Sequence, residues 1–146
     1  GSAVCANPGL VWVAFPGKAL FVYAVKGHDR PKRDTKLFQA PYFNVWGRGQ
    51  VCVGNAAPPS ADVHWQPEAW EAFFFGSHFT HPNFSEKNRL VKRQNPVNFW
   101  KRMVAEPQDH FPEAVLVNVP LEVNDLMAPR FVDLLQARIA KPKGEF

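Results

Sequence analysis

Two apolar runs, Leu-Val-Trp-Val-Ala-Phe (10–15) and Ala-Leu-Phe-Val-Tyr-Ala-Val (19–25), stand only three residues apart, separated by Pro16-Gly17-Lys18. β-Branched and aromatic side chains favour extended backbone, and a Pro-Gly break of this length reads as a hairpin turn. Whatever else the chain builds must accommodate this antiparallel pair. A polar loop, Gly27–Asp34, leads into Thr-Lys-Leu-Phe-Gln-Ala (35–40), a third strand stopped by Pro41. Residues 50–54, Gln-Val-Cys-Val-Gly, read as a short fourth strand or an extended loop, and residues 55–62 as a loop.

Beyond residue 62 the period of the apolar residues changes. Pro67 suits a first helical position, and Glu68 and Glu71 favour a helix N-terminus. Trp70, Phe73 and Phe74 fall at i, i+3 and i+4, so residues 67–77 are expected to form a helix that lays its aromatics on the sheet. Asn95-Pro96 reads as the cap and first residue of a second helix, with Val97, Trp100 and Val104 as its apolar face. Residues 114–119 read as a strand or a buried extended segment. Pro129 is expected to open a last helix with Phe131, Leu134, Leu135 and Ile139 on its inner face. Strands first and helices after give an α+β class, an antiparallel meander with helices packed on one side.

The 146 residues suit one domain with one core. Gly1-Ser2 reads as an expression scar and is set aside. Apolar residues (46%) and charged residues (21%) are in ordinary globular balance, and 14 prolines favour short elements and firm loops. No apolar run approaches the roughly 20 residues of a membrane span. No signal peptide is visible. Cys5 and Cys52 are too few for a disulfide scaffold, no bridge between them is expected, and a reducing cytoplasm is the expected location. Net charge is +4, with basic runs at Lys26–Lys36 and Lys87–Arg93 that read first as solvated loops and second as a surface for an acidic partner or nucleic acid.

Cys52 poses the functional question. It sits between valines, as a buried strand cysteine would, yet it follows a turn containing Gly47 and Gly49. Asn44 lies eight residues before it, and Trp65-Gln66-Pro67 follows at the head of the helix. With the meander upstream, this arrangement resembles the ubiquitin-conjugating (UBC) fold. That family carries His-Pro-Asn, a glycine, a cysteine eight residues after the Asn, and a Trp-x-Pro that opens the next helix. The phrases Phe-Asn-Val-Trp-Gly-Arg-Gly-Gln-Val-Cys-Val-Gly-Asn (43–55), Trp-Glu-Ala-Phe-Phe-Phe (70–75) and Phe-Thr-His-Pro-Asn (79–83) are closer still to family D of the bacterial UBC-like domains, the kind found in PRTRC system protein B. The resemblance implies a UBC-like conjugating domain over residues 9–127, followed by a C-terminal helix or tail over 128–146.

The resemblance further implies that Cys52 carries a ubiquitin-like C-terminus as a thioester. An adenylating activating enzyme would deliver it and an acceptor protein amine would receive it. A thiolate suits this work as both nucleophile and thioester leaving group near neutral pH. Asn44 matches the family residue that donates to the oxyanion or braces the loop. Gly47 and Gly49 would let the turn pass where a side chain would crowd the carbonyl. The chain departs from the pattern at Tyr42 and Phe43, which stand for His and Pro, so the loop must pack differently. The family's N-terminal helix, which meets the activating enzyme, has no room between residue 1 and residue 9, so either it lies in a part of the protein outside this sequence or recruitment differs here. Near the Pro-Asn loop, His81 is favoured over Glu86 for deprotonating the acceptor amine, since an unperturbed imidazole titrates near neutrality. His78 reads as structural.

No cofactor and no metal are expected. His78 and His81 have helical spacing, and His64 and Cys52 could join them, but no CxxC or HExxH is present and the ligands would come from scattered loops. The Gly47–Gly49 turn lacks the Lys-Ser/Thr of a phosphate-binding loop. The alternative to an enzyme is a non-catalytic UBC-like adaptor that binds a ubiquitin-like protein or, through the basic loops, nucleic acid.

Overall fold

The hairpin forms as its residues dictate. In the computed structural model, which describes residues 5–15, 19–42, 44–45, 49–51, 59–60, 62–63, 65–76 and 90–127, strands β1 (Gly9–Phe15) and β2 (Ala19–Val25) pair antiparallel in unbroken register from Gly9↔Val25 to Phe15↔Ala19. Strand β3 (Lys36–Gln39) then pairs antiparallel with the far half of β2, Tyr23 opposite Gln39 and Ala24 opposite Phe38.

The segment 50–54 reads from the sequence as a short fourth strand or an extended loop, and only its first two residues are described. Gln50 and Val51 make only isolated antiparallel bridges, to Phe21 and Val45; residues 52–54 lie outside the described ones. Strand β4 is Asn118–Glu122, and it pairs antiparallel with β3 to give the order β1-β2-β3-β4. The meander is therefore completed from the far side of two helices, which breaks the simple order of strands first and helices after. The apolar run expected at 114–119 contributes only its end. Glu113–Val115 is a single 3-10 turn, and β4 continues through Pro120. A proline is tolerated there because β4 lies at an edge of the described sheet. The cost is an irregular register, in which Phe38 faces Asn118 but Lys36 faces Glu122.

Helix α1 (Pro67–Gly76) carries the expected stripe: Trp70, Phe73 and Phe74 are buried and pack with Leu20 and Val22 of β2. Helix α2 (Pro96–Ala105) starts as its sequence requires. The Asn95 side chain accepts from the Asn98 backbone N–H at 3.1 Å, with Pro96 in the first turn. Its buried face, however, is centred on Phe99 and Met103, which join Ala24, Leu90, Phe111 and Leu116. Val104 is exposed, and Val97 and Trp100 are half-buried. The stripe is one residue away from the expected one because Trp100 does not point into the core. It lies along the border, where its indole N–H donates to the Pro41 carbonyl at 2.7 Å.

Both α1 and α2 thus cover the face of β2 that presents Leu20, Val22 and Ala24. The opposite face presents Phe21, Tyr23 and Val25. These pack with Leu37, with Val119 and Leu121 of β4, and with Leu126 of the short helix α3 (Val123–Met127). Helical residues therefore reach both faces, which corrects the expectation of helices on one side only. Helix α3 is fixed at its start by Asp125, whose carboxylate accepts from the Glu122 backbone N–H at 2.8 Å, the reciprocal half of a capping box. Cys5 is a half-buried free thiol packed against the cluster that holds Leu90 and Phe99. The last helix expected from Pro129, with Phe131, Leu134, Leu135 and Ile139, lies outside the described residues. Among the described residues no helix is long and apolar enough to cross a membrane.

The corrected face of α2 makes a direct prediction. Met103→Ala should lower stability by about 2–5 kcal/mol, whereas Val104→Ala should stay within about 0.5 kcal/mol of wild type. Equilibrium urea unfolding of the two variants checks the ranking.

Candidate active site

The segment between β3 and Cys52 is held at several points, each traceable to a particular side chain. Pro41 ends β3, and its carbonyl accepts the Trp100 indole N–H. Tyr42 follows, buried, with its ring stacked on Trp100 (centroids 5.5 Å apart, planes 16° apart) and set edge-on to Phe74 (5.3 Å, 87°). Its hydroxyl donates to Asn7 Oδ1 at 2.7 Å, which ties the N-terminal segment to the loop. Burial, and secondarily the charge of a Cys5 thiolate, push the Tyr42 phenol well above the usual tyrosine range. Where the UBC pattern has a histidine, this chain therefore has an aromatic anchor between α1 and α2.

Asn44 comes next and is only 4% exposed. Its side-chain N–H donates to the Phe74 carbonyl at 3.4 Å in a buried hydrogen bond. Phe74 lies in the last turn of α1, where backbone carbonyls have no partner within the helix. The Asn44 amide thus closes the end of α1 and fastens the loop to it.

The chain then returns to the sheet. Val45 is fully buried and bridges Val51. The Gly49 carbonyl accepts from the Val22 N–H at 2.8 Å, and the Val51 N–H donates to the Leu20 carbonyl at 2.8 Å. Residues 49–51 therefore use the same edge of β2 as β3 does, one half-strand further along. Gly49 is obligatory on two counts. Its φ of +88° belongs to the left-handed region, and a Cβ there would stand 2.5 Å from the Tyr23 ring. The sequence marked Gly49 only as a turn residue; its contact with a tyrosine 26 positions earlier has no local signature.

Of the sequence-derived site residues, Asn44 is thus placed in the core beside α1. Cys52 follows directly on Val51, but Cys52 itself, His81, Gly47, Glu86, His78 and His64 lie outside the described residues. The Trp-x-Pro motif is visible: Pro67 opens α1, and Trp65 is 70% exposed, with its indole N–H donating to the Asp62 carbonyl at 3.1 Å. Among the described residues no group of three or more His, Cys, Asp or Glu side chains is arranged to hold a metal ion.

The fold and this site define an α+β domain in which a buried Asn and a left-handed glycine lead the chain back to the central strand β2 at residues 49–51. The chain belongs to prokaryotic E2 family D, which it matches over residues 1–119. This E2-like membership gives it a ubiquitin-conjugation-like role in broad terms. No curated protein and no solved structure matches the chain.

Gly49→Ala should cost about 2–4 kcal/mol, combining left-handed strain with overpacking against Tyr23; chemical denaturation measures it. Tyr42 makes a pH prediction. Because its folded pKa is raised, its neutral form stabilises the fold fully below the unfolded value of about 10, and that contribution is lost as pH rises above it. Tyr42→Phe cannot ionise, so the stability of wild type relative to Tyr42→Phe should fall as pH is raised past about 10. Thermal unfolding of the pair across that range checks the sign.

Proposed function

We propose that the chain is a ubiquitin-like-protein conjugating enzyme with Cys52 as its thioester carrier. The observation that carries this reading is the double fixation of residues 49–51 on β2, in a chain of E2 family D. The backbone immediately before Cys52 is held by hydrogen bonds to Leu20 and Val22, and a carrier thiol needs such a fixed starting point. The Cys52 thiolate attacks the ubiquitin-like carbonyl held as a thioester on the activating enzyme, and that enzyme's thiolate leaves. An acceptor amine then attacks the new thioester, its proton passes to His81, and Cys52 departs as thiolate. Asn44 acts through position, holding the pre-cysteine loop to α1.

The test is a charging assay with the cognate activating enzyme and ubiquitin-like protein. Cys52→Ser should give a stabler ester or no adduct. His81→Ala should charge normally and discharge onto free lysine ~100-fold more slowly if the imidazole is the general base. Equal discharge by wild type and His81→Ala removes His81 from the site. Mild alkylation of the folded protein, mapped by mass spectrometry, should modify Cys52; modification of Cys5 alone would make Cys52 a core residue.

The adaptor reading draws on the exposure of Lys26, Arg30, Lys32, Arg33 and Lys36 along one loop. It predicts no charging together with salt-sensitive binding to nucleic acid.

A further inference from the structure

Beside the head of α1 lies a cavity of about 300 Å³, lined among the described residues by Trp12, Ala14, Trp65, Pro67, Trp70 and Glu71. Three indoles and one carboxylate around one opening form an unusual wall, because each part has a separate reason to be where it is. Trp12 is half-buried and fixed by its rings' contact with Phe74, centroids 5.6 Å apart. Trp70 is buried in the α1 stripe. Trp65 is the exception. Its ring is 70% exposed, yet its orientation is held by the hydrogen bond to the Asp62 carbonyl. An indole kept in water and held in place contributes little to the core; it is suited to meet something arriving from outside.

We propose that this groove receives a cationic side chain, a lysine ammonium or arginine guanidinium, presented by a partner protein. Indole faces attract cations through their quadrupole, with tryptophan the strongest of the aromatic side chains. Glu71 supplies the matching charge at the wall, and Glu68, exposed one turn earlier on α1, adds to the same field. Among the described residues the groove carries acidic charge, in a chain of net charge +4 whose exposed basic run at Lys26–Lys36 lies elsewhere. An anion would be repelled by Glu71. A purely apolar occupant would strip water from its carboxylate without offering a partner. A long alkyl stem ending in a cation meets both the indoles and the carboxylate, and the cavity has room for one such side chain. The pre-set geometry of Trp12, Trp65 and Trp70 means little ordering is left to occur on binding. The site does not depend on Cys52, so a failed charging assay leaves it standing.

The experiment uses three blocked amino-acid amides as probes: lysine, Nε-trimethyl-lysine and norleucine. The last keeps the alkyl stem and lacks the charge. Indole N–H resonances of the full chain are followed by NMR during titration. The two cationic probes should shift the Trp65 resonance and bind ~10-fold or more tightly than norleucine. Trp65→Ala, at a surface position whose retained fold circular dichroism verifies, should abolish the binding. Glu71→Gln should weaken it several-fold and reduce its sensitivity to salt. Norleucine binding as well as lysine, binding unchanged in both variants, or the absence of any indole shift with all three probes would each overturn the proposal.

Discussion

Strand β2 is buried on both faces, and that requirement organises everything around it. From Leu20 to Val25 no residue is more than 5% exposed. Even residues face Trp70, Phe74, Phe99 and Met103; odd residues face Leu37, Val119, Leu121 and Leu126. A strand with two apolar faces must also satisfy its backbone on both edges, since water is excluded from it. One edge is taken up by β1. The other is divided: β3 takes Tyr23 and Ala24, and residues 49–51 take Leu20 through Val22. The chain leaves β3 after Gln39 and is back on β2 at Gly49, where half an edge of that strand still needs partners.

That return positions the candidate site. The excursion is pinned by Tyr42 between α1 and α2 and by Asn44 on the end of α1, and it ends at Gly49, which fits only because it has no side chain to meet Tyr23. Core packing and site geometry are therefore not separable here. The same aromatic residues that bury α1 and α2 also set the place from which Cys52 is reached. Substituting a core residue such as Phe74 would disturb the Asn44 contact as well as the packing.

The surface divides in a similar way. The head of α1 carries Glu68 in its first turn, which suits the positive end of the helix dipole, and Glu71, one turn on, lines the groove with the exposed indole of Trp65. The basic loop between β2 and β3 is fixed differently, through the Lys32–Thr35 turn and the hydrogen bonds that Val123 and Asn124 make to Thr35 and Arg33.

Local pattern alone determined the hairpin, the third strand, the start of α1 with its Trp70–Phe73–Phe74 stripe and the Asn95 cap of α2, because each depends on residues within a turn or two of one another. The motif spacing around Cys52 likewise pointed to the family to which the chain belongs. Tertiary structure decided what depends on distant partners. Strand β4 joined the free edge of β3, where Val119 and Leu121 could cover Leu37. The face of α2 settled on Phe99 and Met103 because Trp100 found the Pro41 carbonyl. Asn44 found the Phe74 carbonyl in the last turn of α1, and Gly49 found the ring of Tyr23. Periodicity shows that a face is apolar; only the assembled core fixes which neighbour it meets.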